Sequence, residues 1–178
     1  RDVERSRGLG DVYKRQPYYL VHKAKELQYH TKMINSGRYV NDSMGRYIGK
    51  KVVKKIISQG KNILGAHVLV MGMTFKENVS DIRNSKVADI INEFKDFGAE
   101  VDVMDPFASP LEVLQEYGIR LVERPGKKYD AVVVAVAHTT YLKLDESYFM
   151  SITNEHAVLA DVKGVYRGSI HQMIYWSL

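Results

Sequence analysis

The stretch His67-Val-Leu-Val-Met71-Gly72-Met-Thr-Phe75-Lys76-Glu77-Asn-Val-Ser-Asp81-Ile-Arg83-Asn-Ser85 decides the fold. Its apolar opening, His67 to Met71, has the length of a buried strand and ends at a glycine. A loop carrying an aromatic, a lysine, an aspartate and an arginine follows. From Ser85 to Phe97 the pattern turns helical, with Val87, Ile90, Ile91 and Phe94 on one face. Strand, turn and helix in this order make half of a β-α-β unit. In an open α/β sheet, ligands bind outside the carboxyl ends of the strands, so this loop stands where chemistry would be placed.

The same alternation continues downstream. Gly98 ends the helix, and Glu100 to Met104 reads as a second strand closed by Asp105-Pro106. Ser109-Pro110 fits an N-cap followed by proline at the first helical position, opening a short helix to Gly118. Ile119 to Val122 is expected to be a short third strand. Asp130 then precedes Ala131 to Val136, a continuous apolar run of the kind a strand covered on both faces shows. Leu144 to Ser151 is expected to be helical, and Ala157 to Val162 is expected to be the last strand. Repeated connections of this length imply an α/β fold with a Rossmann-like, doubly wound parallel sheet. No internal repeat or low-complexity segment is visible.

Upstream, the reading is helical from Pro17, with Leu20, Val21, Ala24 and Leu27 as an apolar stripe. Asn35-Ser36-Gly37 reads as a break. A second helix is expected from about Tyr39 to Ser58, with Val40, Met44, Tyr47, Ile48, Val52 and Ile56 inward and Gly60 as its stop. The lysines at 50, 51, 54 and 55 form a solvated face. Residues 1–16 share no periodicity with the rest. The string Ser6-Arg-Gly-Leu-Gly-Asp-Val-Tyr-Lys-Arg-Gln16 resembles translated adapter sequence, the other reading being a flexible native tail. Three regions follow: 1–16 non-native or disordered, 17–60 a helical central segment, and 61–178 the Rossmann-like domain.

Composition bounds the function. The 178 residues carry a formal charge of +5 and no cysteine, which excludes disulfides and thiolate zinc sites. The basic residues are dispersed, without a basic run or RNA-binding motif, so nucleic acid is not the expected partner. No apolar run approaches the roughly 20 residues that span a bilayer, so no membrane partner is expected and a cytoplasmic protein is the default. The histidines lack metal-ligand spacing, and no Ser-His-Asp set can be defended.

The pattern Gly72-x-x-Phe75-Lys76-x-x-x-x-Asp81-x-Arg83-x-Ser85 resembles the loop that opens the C-terminal domain of the UDP-glucose/GDP-mannose dehydrogenase family. Pro17-Tyr-Tyr-Leu, Gly37-Arg-Tyr-Val-Asn-Asp, Ala135-Val-Ala-His138 and Tyr175-Trp-Ser-Leu resemble the branch acting on UDP-N-acetylglucosamine or UDP-N-acetylmannosamine. The resemblance covers Pro17 to Leu178. It implies an NAD-dependent oxidation of a UDP-N-acetylhexosamine at its C6 alcohol to a carboxylate, with polysaccharide precursors as the product class. The mechanism it implies has two hydride transfers and a cysteine thiolate that traps the aldehyde. Ungapped, that cysteine falls on Val12 and the aspartate after it on Gln16, so the chain is expected to be a C-terminal, inactive part with no catalytic residue of its own. A homodimer through the central helix is likewise implied.

For individual residues the resemblance implies a UDP-sugar site formed by Phe75, Lys76 and Lys163, and contact of Arg83 with NAD held by another domain. Asp81 is expected to orient Arg83 rather than act as a base. Asp105, an acid after a second strand, suggests the ribose acid of a dinucleotide site. The first turn, however, lacks Gly-x-Gly-x-x-Gly, and the aspartate lies past the usual spacing of about 20 residues, so it reads as a turn-former before Pro106. His138 is open between a ligand contact and a backbone hydrogen bond. Tyr18, Asn41 and Arg46 receive no role. Two other classes stay open: a stand-alone, non-catalytic Rossmann-like nucleotide-binding module, and a flavodoxin-like signalling domain using Asp105 as phosphoacceptor. The second would want an acidic cluster after the first strand, which Gly72-Met-Thr does not supply.

Overall fold

A computed structural model of the protein describes residues 19–178, so Pro17, Tyr18 and the segment 1–16 lie outside the described residues. Five strands form one parallel sheet in the order β2-β1-β3-β4-β5: β1 His67–Met71, β2 Glu100–Met104, β3 Tyr129–Val134, β4 Thr153–Asp161 and β5 Ile174–Ser177. The expected doubly wound parallel sheet is present. Strand alternation divides the side chains between two faces. Val68, Val70, Val133, Val158 and Ala160 enter one core, while Leu69, Met71, Val132, Val134 and Leu159 enter the other. Both faces are covered, which is why these strands read as unbroken apolar runs.

A helix covers residues 19–26 (α1) and is followed by α2, Lys32–Ser58. The chain divides into two compact units between Ser43 and Met44. In the first, α1 carries an exposed Lys23–Glu26 ion pair at 2.7 Å, and α2 begins well before Tyr39. The expected break at 35–37 does not occur. The Ser36 hydroxyl donates to the Lys32 carbonyl at 2.8 Å, and Gly37 continues the helix at a propensity cost of about 1 kcal/mol, too small to end it.

In the second unit the remainder of α2 packs with α3, Val87–Asp96, against one face of the sheet. The expected α2 stripe is only half right. Ile48, Val52 and Ile56 are buried, but Val40 and Tyr47 are exposed, and the buried face is completed by Gly45, Gly49 and Val53. The two glycines are the contact with α3. A Cβ on Gly45 would lie 2.6 Å from the Asp89 Cβ, and one on Gly49 would lie 2.8 Å from the Glu93 Cβ. Val87, Ile90, Ile91 and Phe94 of α3 are all buried, as the periodicity requires.

Helix α4, Pro110–Tyr117, is capped by the Ser109 side chain accepting the Glu112 amide and ends at Gly118 in the left-handed conformation. The strand expected at 119–122 is reduced to one bridge, Val103 to Leu121. The polar run Glu123-Arg124-Pro125-Gly126 leads the chain away before a ladder can form. A 3-10 turn, Tyr141–Lys143, precedes α5, Glu146–Ile152, whose N-cap is Asp145. The strand after it begins earlier than expected and is not the last, because β5 pairs with its far edge.

Candidate functional site at the carboxyl edge of the sheet

With the order 2-1-3-4-5, the strand sequence reverses between β1 and β3, and the ends of these two strands form the switch point where a ligand crevice belongs. β1 ends at Gly72, at φ +95°, where an added Cβ would come within 2.5 Å of the Val136 Cβ. Only glycine lets the two strand ends pass this closely.

Asp105, at the end of β2, ties the edge together. Its Oδ2 accepts the amides of Met73 (2.6 Å) and Thr74 (3.0 Å), and its Oδ1 those of Phe107 (2.7 Å) and Ala108 (2.9 Å). His138 Nε2 lies 3.1 Å from Oδ2, and both side chains are fully buried. Burial by itself would raise this carboxyl. The hydrogen bonds from His138, Met73, Phe107 and Thr74 outweigh it and hold the group well below the usual carboxylate range. The expected turn-former is therefore also a buried carboxylate reaching back to the first strand.

The other ring nitrogen of His138 accepts the Asn78 amide at 3.0 Å, which places the ring proton on Nε2. Phe107 and Tyr141 pack on the imidazole with centroids 4.9 and 5.4 Å away. Of the two readings left open for His138, the backbone hydrogen bond is what the structure contains. Asn78 adopts a left-handed conformation (φ +58°), and its Oδ1 accepts both the amide and the hydroxyl of Thr139 at 3.0 Å. The Thr74 hydroxyl donates to the Lys76 carbonyl at 3.0 Å, and the Phe75 amide donates to the Asp81 carbonyl at 2.7 Å. Phe75 and Lys76 are thereby displayed, both exposed, on a loop pinned from inside.

Arg83 meets Asp81 through a fork, Nε to Oδ1 at 2.8 Å and Nη2 to Oδ2 at 2.7 Å. Lys163 follows β4, where the buried Asp161 folds the turn by accepting the amides of Gly164 (2.8 Å) and Tyr166 (2.7 Å) and the hydroxyl of Tyr175 (2.8 Å). Burial first, and then the Asp161 carboxylate, push the Tyr175 phenol up. The Lys163 ammonium pairs with Glu77 at 2.9 Å, and that bond holds the Glu77 carboxyl below its ordinary range. The two lysine-bearing loops thus meet through Lys163 and Glu77, the immediate neighbour of Lys76.

Sequence reasoning named Asp105 as a turn-former and left His138 open, but missed Asn78, the reach of Asp105 back to the first strand, and Asp161 as the residue that folds the turn at Lys163. The available signal was an aspartate closing each of two apolar strands, at positions 105 and 161. A shallow cleft of about 420 Å³ lies instead at the amino edge, among Lys61, Gly65, Asp130, Asn154 and Glu155, away from the switch point. Among the described residues no cluster of His, Asp or Glu is arranged to hold a metal ion, and no helix is long and apolar enough to cross a membrane.

Residues 69–168 match the UDP binding domain of the UDP-glucose/GDP-mannose dehydrogenase family. The chain is 40% identical over 148 residues to a UDP-N-acetyl-D-glucosamine 6-dehydrogenase of Pseudomonas aeruginosa, covering 83% of this chain and 35% of that protein. It is 39% identical over 150 residues to the enzyme of the same name from Salmonella typhi, covering 84% and 35%. Among solved structures, a UDP-N-acetyl-mannosamine dehydrogenase from Staphylococcus aureus superposes with a TM-score of 0.66 at 27% identity, over 84% of this chain and 34% of the other. A UDP-D-ManNAc dehydrogenase from Pyrococcus horikoshii gives a TM-score of 0.75 at 18% identity, over 90% and 36%, a likeness of fold. The chain spans about a third of the length of the curated relatives it matches, 35% in both cases given.

Proposed function

The chain belongs to the UDP-glucose/GDP-mannose dehydrogenase family, and from that membership we propose that it is the UDP-sugar-binding part of an NAD-dependent UDP-N-acetylhexosamine 6-dehydrogenase. The whole enzyme would oxidise the C6 alcohol to a carboxylate, yielding precursors for polysaccharide. The observation that carries this reading is the convergence of the Lys76 and Lys163 loops, joined by the Lys163–Glu77 pair, beside the switch point. A nucleotide diphosphate would set its charge between the two ammonium groups, taking Lys163 from Glu77, and Phe75 would wall the base or sugar.

The turn after β1 does not fit a dinucleotide. The amides of Met73 and Thr74, which a pyrophosphate would need, are taken by Asp105, and the crowding of Gly72 on Val136 leaves no cradle. In our reading the NAD of the whole enzyme is held by another domain, toward which this chain offers Arg83, its guanidinium oriented by Asp81. No hydride step is assigned to residues of this chain. Residues 17–60 serve as the central segment through which two copies pair, and 61–178 as the nucleotide-sugar domain.

The test is a calorimetric titration of the chain with UDP, alongside Lys76→Ala and Lys163→Ala. A charge-assisted lysine–phosphate bond is worth roughly 1.5–3 kcal/mol, so each variant is expected to bind at least about tenfold more weakly. Equal affinity in all three proteins rejects the assignment.

A further inference from the structure

We propose that His138 is the positioning residue for the loop that displays Lys76, an inference that rests on reading this edge as the UDP site. One imidazole touches both ends of the arc. Nε2 lies 3.3 Å from the Thr74 hydroxyl, on the strand side of Lys76, and Nδ1 accepts the Asn78 amide at 3.0 Å, two residues beyond it. The ring cannot swing, because Asp105 holds Nε2 at 3.1 Å and Phe107 and Tyr141 pack on it. Any buried histidine must satisfy its ring nitrogens, so what marks this one is where the partners lie. This one is fully buried and uses both nitrogens on opposite ends of a single exposed loop.

The consequence is preorganisation. Lys76 and Glu77 lie between two fixed points, with the Lys76 carbonyl held by Thr74 and Asn78 clipped to Thr139. A ligand arriving at Lys76 meets a backbone already ordered, so less of its binding free energy is lost to ordering the loop. Asp105 acts one step further back, as the acceptor that fixes which nitrogen faces Asn78.

Two substitutions separate the two ends. In His138→Asn the side-chain oxygen takes the place of Nδ1 and keeps the Asn78 bond while losing Asp105. In His138→Gln the amide nitrogen takes the place of Nε2 and keeps Asp105 while losing Asn78. UDP titrations of the 178-residue chain, with melting curves to confirm folding, are expected to show about tenfold weaker binding for the Gln variant, or about 1.4 kcal/mol. The Asn variant should stay within about threefold of wild type. Amide exchange should quicken across 74–83 only in the Gln variant. Equal affinities in Gln and wild type, or losses that follow melting temperature rather than the Asn78 bond, overturn the proposal. If the Gln variant does not fold, amide exchange in the wild-type chain carries the test: an Asn78 amide that exchanges as fast as an unstructured one is not held by His138, and that result overturns the proposal equally. Failure of the wild-type chain to bind UDP rejects instead the reading of the site.

Discussion

Replacing Asp105 by asparagine changes one atom and disrupts the interior of the carboxyl edge. The carboxylate accepts from five donors: three at Oδ2 (Met73, Thr74 and His138) and two at Oδ1 (Phe107 and Ala108). An asparagine has one acceptor oxygen, so whichever way it turns, its own amide faces at least the two donors of one side. An unsatisfied donor costs about 1–3 kcal/mol, and because these amides are part-buried and that of Phe107 exposed, the lower part of that range applies and gives a loss of about 3 kcal/mol. For a chain of this size about 3 °C of melting temperature accompanies each kcal/mol, so Asp105→Asn is expected to melt about 10 °C below wild type at pH 7. The pH dependence is an independent check. Asp105 has its carboxyl depressed by folding, so its contribution is complete above the unfolded value of about 4 and is lost as pH falls toward the folded one. The gap between the two proteins should therefore narrow steadily below about pH 4, since a protonated aspartate is close to an asparagine. The assay is a circular-dichroism melt from pH 7 down to about pH 2.5. A gap under about 2 °C at pH 7, or one that stays constant into acid, refutes the hub assigned to this carboxylate.

The sequence carried most of the fold because the central strands are covered on both faces. β1 and β2 match the expected bounds residue for residue: β1 is an apolar run stopped by Gly72, while β2, at the sheet edge, alternates polar and apolar residues between Gly98 and Asp105-Pro106. Where the structure departs, the competing physics is identifiable. β5 lies at the sheet edge with every residue only partly buried, so Ile174 to Ser177 carries no buried-strand signature. Ile119 to Val122 has that composition, yet α4 delivers it to the outer edge of β2 with room for one bridge. Asn35-Ser-Gly37 reads as a turn locally, but local preferences of about 1 kcal/mol do not stop a ladder of hydrogen bonds already running.

The site divides along the same line between local and distant. Phe75, Lys76, Asp81 and Arg83 fall within one loop, so their pattern survives in a linear string. The residues that hold that loop do not. His138 meets Asp105 across 33 positions and Asn78 across 60, and they come together only because β1 lies between β2 and β3. Asp161 reaches Tyr175 on the strand that the sequence did not reveal, so the framework behind Lys163 was hidden for the same reason. The loop residues proposed to meet a ligand were legible, and the scaffolding behind them required strand order.

The close approach of α2 and α3 yields a stability test. Gly45→Ala gains up to about 1 kcal/mol of helix propensity, but its Cβ would sit 2.9 Å from the backbone carbonyl of Lys86, which cannot move aside as a side-chain tip could. Overpacking of about 1–3 kcal/mol should dominate and lower the melting temperature by several degrees, and a rise would refute the close packing. The remaining prediction concerns pairing of two copies through the central segment. Met33 and Val40, seven residues apart on one face of α2, are 90% and 56% exposed, an apolar display on a surface helix that asks for a partner. Ile48, further along the helix, is 5% exposed and belongs to the core with Val52 and Ile56, so it is no part of that display. Val40→Asp lies outside that core, so it should reduce self-association in light scattering while leaving the melting of the sheet domain unchanged. A wild-type chain that stays monomeric at about 100 µM would refute the seam, since a pairing weaker than about 5.5 kcal/mol could not organise a dimeric enzyme.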